Sequence, residues 1–178
     1  METGGVDEDA VATFWAAVDD GDAAAVTAAV TAAPRLLTRT REWGFSALHV
    51  SAAGATATVD ALPRAGAAVG APSVDGTTPL HLAALYGHRG AVGACLDAGA
   101  AVGAADACGI TLLHLEARGG DAPTVAALVN AGVVVGGTDA DGETPLHSAA
   151  RYGNGATARA LVAARATVGA MDNGGATP

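Results

Sequence analysis

The chain has 178 residues, a formal net charge of −9, and a composition that is 51 % hydrophobic but only 3 % aromatic, which fits one alanine-rich, soluble domain. Glycine or charge interrupts every apolar run before it reaches membrane-spanning length, so no direct membrane insertion is expected. All nine basic residues are arginine, which excludes a P-loop lysine, a Schiff-base lysine and a serine–lysine nucleophile pair.

Residues 1–22 hold seven of the 18 acids and no base, leaving eleven acids against nine arginines in the remainder. The body is nearly neutral and has no basic stripe, so nucleic acid is not an expected partner. Residues 1–8 read as an acidic, solvated tail, opposite in character to a targeting segment. Residues 9–38 read as a helix pair with one stripe from Phe14, Trp15 and Val18 and another from Val26, Ala29 and Val30. Gly21-Asp22 makes the turn between them, and Leu36-Leu37 is expected to pack under the loop that follows.

A repeat then takes over. Leu48-His49, Leu80-His81, Leu113-His114 and Leu146-His147 recur at intervals of 32, 33 and 33 residues. Ahead of each pair stands a helix start: Ser46-Ala47, Thr78-Pro79, Thr111-Leu112 and Thr144-Pro145, where a hydroxyl can accept a free first-turn amide and proline is tolerated. A second apolar stripe follows (Val92, Cys95, Leu96; Val125, Leu128, Val129; Ala158, Leu161, Val162), and Gly66, Gly99 and Gly132 end that helix. Between units run loops with glycines in register at Gly76, Gly109, Gly142 and Gly175, which predict hairpin-like fingers turning through positive backbone angles.

These features divide the chain into a degenerate capping repeat at 9–38, repeats at 39–71, 72–104, 105–137 and 138–170, and the start of an incomplete fifth at 171–178. Pro63 is expected to kink or shorten the second helix of the first repeat. Glu116 stands in the third repeat where Ala83 stands in the second, and Arg118 or Arg151 is its expected partner. Arg165 replaces the helix-ending glycine of the fourth. Gly175 and Pro178 are in register with Gly142 and Pro145, so either further chain or a partner is expected to cover the last repeat.

Gly76-Thr77-Thr78-Pro79-Leu80-His81-Leu82-Ala83-Ala84, with Gly87-His88 and Gly99-Ala100 after it, resembles the ankyrin repeat family. The resemblance runs from about Asp7 to the end. Glycine stands at 70, 103, 136 and 169, where the family commonly has asparagine. The resemblance implies an all-α solenoid of stacked helix-turn-helix units with hairpin-like fingers, and a role in binding proteins.

Chemistry-bearing residues mostly fall on repeat positions. Successive repeat histidines would lie roughly 8–10 Å apart, too far to share a zinc with bonds of about 2.1 Å. Each is expected to bond backbone at its own helix start and in the adjoining finger. Cys95 on a helix stripe and Cys108 on a fingertip suit a reducing compartment, hence an intracellular, cytoplasmic or nuclear location. Asp139-Ala140-Asp141-Gly142-Glu143 lacks calcium-loop spacing. No catalytic residue, metal or cofactor is expected.

In the ankyrin architecture the fingers and the ends of the first helices line one concave side. Here those positions hold Trp43, Phe45, Asp75, Thr77, Leu85, Tyr86, Ile110, Arg118, Asp141, Glu143, Arg151 and Tyr152, which include four of the six aromatic residues. Tyrosine, tryptophan and arginine are enriched at binding hot spots. The expected function is non-catalytic recognition of a partner protein, as adaptor or scaffold. One alternative is a constitutive subunit of a large multi-subunit assembly, docked through the C-terminal end; another is part of an enzyme.

Overall fold

The computed structural model describes residues 7–54 and 56–178, with no account of the Thr56 side chain. The expected acidic tail therefore lies largely outside the described residues. Of its last two members, Asp7 is the N-cap of the first helix, accepting from the Asp9 amide at 3.2 Å, and Glu8 is that helix's first residue.

Ten α-helices occur among the described residues, in five pairs: α1 (Glu8–Asp20) with α2 (Ala23–Ala32), α3 (Ala47–Ala53) with α4 (Thr56–Arg64), α5 (Pro79–Leu85) with α6 (Arg89–Asp97), α7 (Leu112–Gly119) with α8 (Ala122–Asn130), and α9 (Pro145–Arg151) with α10 (Gly155–Ala163). Short 3-10 turns at Pro34–Thr38 and Glu42–Gly44 connect α2 to α3. Pro63 does not shorten its helix: α4 has 9 residues, as do α6, α8 and α10. Proline sits in the last turn of α4, where the loss of one amide is tolerated, and the amides of Ala65 and Ala67 still reach Ala61 and Leu62 behind it.

The chain forms two compact units. One comprises the residues up to Ala83 with Gly90–Ala100, the other Ala84–Arg89 with Ala101–Pro178. In the first, α1 packs on α2 and α3, α2 on α4, and α3 on α4. In the second, α7 packs on α8 and α9, α8 on α10, and α9 on α10. First helix therefore lies on first helix and second on second, the arrangement of an all-α repeat solenoid.

Most of the stripe residues read from sequence are buried, but Ala29, Leu96, Val129 and Ala158 are only half-buried and Val162 is exposed. Phe14, Val18, Val26, Val30, Leu36, Leu48, Val59 and Leu62 form the core of the first unit, and Leu113, Ala117, Val125, Leu128, Leu146, Ala149 and Leu161 that of the second. Burying each leucine stabilises by about 1.5–3 kcal/mol. The alanines between them let neighbouring helices approach closely.

The fingers are tight turns, not strands; extended pairing among the described residues is limited to isolated bridges at Thr40–Ser46 and Ala105–Thr111. Each finger closes an amide onto a carbonyl four residues on: Ser73 to Thr77, Asp106 to Ile110, Asp139 to Glu143, and Asp172 to Ala176. That closure needs a left-handed residue at the fourth position, and Gly76, Gly109, Gly142 and Gly175 supply it with φ between 77° and 81°.

Candidate functional site

The repeat histidines set the geometry on which any surface site rests. At His49, His114 and His147 the amide of the preceding N-cap residue donates to Nδ1 at 3.1, 3.2 and 3.0 Å. Nδ1 is therefore the acceptor, and the proton sits on Nε2. From there it goes to a carbonyl of the next finger: Thr77 at 2.9 Å, Glu143 at 3.0 Å and Ala176 at 3.2 Å. Each ring thus ties its own helix start to a finger about thirty residues away. Burial holds the His49 and His114 imidazoles below their ordinary range.

A carboxylate at the base of three of the four fingers does the same locally, and the sequence reading missed it. Asp106 Oδ1 accepts from the amides of Cys108 and Ile110 at 2.9 and 2.8 Å, Asp139 from Asp141 and Glu143 at 3.0 and 2.9 Å, and Asp172 from Gly174 and Ala176 at 2.8 Å each. The signal was present as aspartate three residues before Gly109, Gly142 and Gly175, with Ser73 in that place before Gly76. It explains Asp139 as a backbone clamp, the use of an Asx turn.

Of the twelve positions expected to meet a partner, Trp43, Phe45, Asp75 and Thr77 belong to the first unit and the other eight to the second. In the first, Trp43 is 71 % exposed and has a positive φ of 62°, unusual for a bulky residue. Its carbonyl accepts from the Val74 amide at 2.8 Å, which fixes one finger to the next. Phe45 is half-buried and stacks on His49 with centroids 5.4 Å apart, a bracing position. Asp75 accepts from the Ser73 hydroxyl and the Thr77 amide, and the Ser73 bond above all lowers its pKa.

In the second unit Leu85, Tyr86 and Tyr152 are exposed, the two tyrosines by 58 % and 50 %. Tyr86 stacks on His88 at 6.2 Å, and the Arg118 guanidinium lies 5.1 Å from the Tyr152 ring centroid. Glu143 is different: it is buried and ion-paired with Arg151. Ile110 is half-buried, and Asp141 is exposed with its carbonyl accepting from Asn173 at 2.9 Å.

Neither arginine expected beside Glu116 is there, because Arg118 is on Tyr152 and Arg151 on Glu143. Instead Glu116 lines a cleft of about 150 Å³ with Ala84, Gly87, Arg89, Gly119 and Asp121. Burial first, and then the Asp121 charge, push its pKa up to about 7.

Among the described residues there is no group of three or more His, Cys, Asp or Glu placed to hold a metal ion. No helix among them is long and apolar enough to cross a membrane. Cys95 is buried and Cys108 exposed, both free. No curated protein matches the chain. A family model described as ankyrin repeats (3 copies) matches residues 90–172.

Proposed function

On the match of residues 90–172 to the ankyrin repeat model, we propose that this chain is a non-catalytic recognition module whose second unit captures a partner protein through Tyr86, Arg118 and Tyr152. The observation that carries the reading is the pair of tyrosines. They occupy one register position in two repeats, 66 residues apart, directly after α5 and α9, and both residues are half or more exposed. Amphipathic aromatics with a stacked arginine make contact area at little entropic cost, as hot spots require. Leu85, Ile110 and Asp141 would extend this patch, and Trp43, Asp75 and Thr77 would supply contacts on the first unit. Glu143 is buried against Arg151, whose side chain stays 60 % exposed, so of this ion pair Arg151 is the member open to a partner.

The test is capture of partners from native extract by the intact chain and by Tyr86→Ala/Tyr152→Ala, with thermal melts of both. Loss of specific capture with an unchanged melt is the expected result; undiminished capture by the double variant overturns the reading.

A second reading has its own observation. Val162, Val168 and Met171 in and after the last helix pair are 45 %, 58 % and 71 % exposed, an apolar group that suits end-on docking in a larger assembly. Capture lost on Val168→Ser/Met171→Ser and kept by the tyrosine variant would favour it.

A further inference from the structure

We infer that the cleft at Glu116 is a receptor for a positively charged side-chain head, the ammonium or guanidinium of a partner's lysine or arginine. The position itself is the first argument. In the equivalent slots Ala83 and Ala149 are fully buried among helices, and a carboxyl placed there carries a desolvation penalty unless it is paired. Glu116 is 5 % exposed, and among the described residues no hydrogen bond reaches its carboxyl oxygens.

The neighbouring cation is already engaged. Arg89 grips Asp121 with two atoms, Nε to Oδ2 at 2.5 Å and Nη2 to Oδ1 at 2.8 Å, and Asp121 also takes the Thr124 hydroxyl at 2.6 Å. That bidentate pair takes two of the five N–H donors of Arg89 and matches its charge with Asp121 first. Asp121 and Arg89 are the charged groups whose fields reach Glu116. The Arg89 field favours the ionised Glu116 less than burial and the Asp121 charge oppose it, so the three side chains together carry one positive against two negative charges when Glu116 ionises.

The walls supply room. Ala84, Gly87 and Gly119 line the cleft, and a Cβ built on Gly87 or Gly119 would meet nothing within 4 Å. Volume of about 150 Å³, small walls and one unpaired acid at the base suit a slender stem ending in a cation. Binding is coupled to a proton: a cation favours the ionised carboxylate, so filling the cleft releases to solvent the proton of any Glu116 that still holds one.

The inference leans on the recognition reading for the source of the cation, but its test does not. The intact chain is titrated by ¹³C NMR at the Glu116 carboxyl, and by amide shifts at Gly87 and Gly119, with n-butylammonium chloride, n-butylguanidinium chloride or KCl at equal ionic strength. An organic cation should lower the Glu116 midpoint by about half a unit or more relative to KCl and move both glycine amides saturably. Response to butylammonium alone assigns the site to lysine, and to butylguanidinium alone, to arginine. Glu116→Gln, and Glu116→Ala, which restores the residue of the sister repeats, should both abolish the amide response. The inference is overturned if neither organic cation differs from KCl, or if the Gln variant responds like the parent.

Discussion

Nε2 of His114 donates to the carbonyl of Glu143 at 3.0 Å, while its Nδ1 accepts from the Thr111 amide at 3.2 Å. One neutral ring thus bridges a helix start to a finger 29 residues on. His114→Ala removes both bonds and leaves a buried carbonyl and amide without them, so a loss of roughly 2–4 kcal/mol is expected in urea unfolding. A loss under 0.5 kcal/mol would show that the bridge is incidental.

The same rings make stability depend on pH. His49 and His114 titrate below their ordinary 6.5 in the folded chain because burial disfavours the charged form. The unfolded chain therefore binds more protons in this range. Their contribution is intact above pH 6.5 and declines as pH falls below it. Replacing His114 by Gln should flatten that decline in urea midpoints measured between pH 7.5 and 5.5.

Glu116 acts in the opposite sense. Its folded pKa of about 7 lies above the ordinary 4.5, so its contribution is whole below pH 4.5 and is lost as pH rises through about 7. Glu116→Gln should stabilise the chain at pH 8 by on the order of 2 kcal/mol and do nothing at pH 4. Equal effects at both pH values would mean that packing, not charge, sets the cost.

Arg165 stands where Gly66, Gly99 and Gly132 end their helices, and it adopts their left-handed conformation, with φ 67°. Chirality makes that conformation unfavourable for arginine by roughly 1–2 kcal/mol. Arg165→Gly should recover about 1 kcal/mol as a raised urea midpoint, whereas Arg165→Val should lower it.

Trp43 combines the same backbone strain with an exposed ring. Trp43→Gly should leave the chain at least as stable, by up to about 1 kcal/mol, while weakening capture if the ring meets the partner. A large drop in melting temperature would instead make Trp43 a structural brace.

Asn154 shows how a repeat slot can be readable while its role is not. By register it occupies the helix-opening position held by His88 and Asp121, and a cap for α10 would be its ordinary use. In the structure its Nδ2 reaches the carbonyls of Ala117 and Arg118 at 2.9 and 2.8 Å, satisfying the end of α7 in the preceding repeat. The histidine bridges, by contrast, were legible, because the Ser/Thr-x-x-His spacing itself places Nδ1 over the N-cap amide. Glu116 was legible as an anomaly, but its expected partners were not the observed ones. Arginine is long enough to choose between several carboxylates or a ring, and spacing does not rank them.

Periodicity, glycine punctuation and the hydroxyl before each Leu-His pair determined the helices, most of their buried faces, the fingers and the ankyrin-like repeat that residues 90–172 match. Those features act through contacts a few residues apart, or through the same contact repeated at a fixed interval, and a linear pattern records both. Pairings among exposed arginines, carboxylates and tyrosines, the ion pair of Arg151 with Glu143, and the cleft at Glu116 were decided only in three dimensions. Each depends on which flexible side chain arrives first at a shared space between repeats, and that competition leaves no period in the sequence.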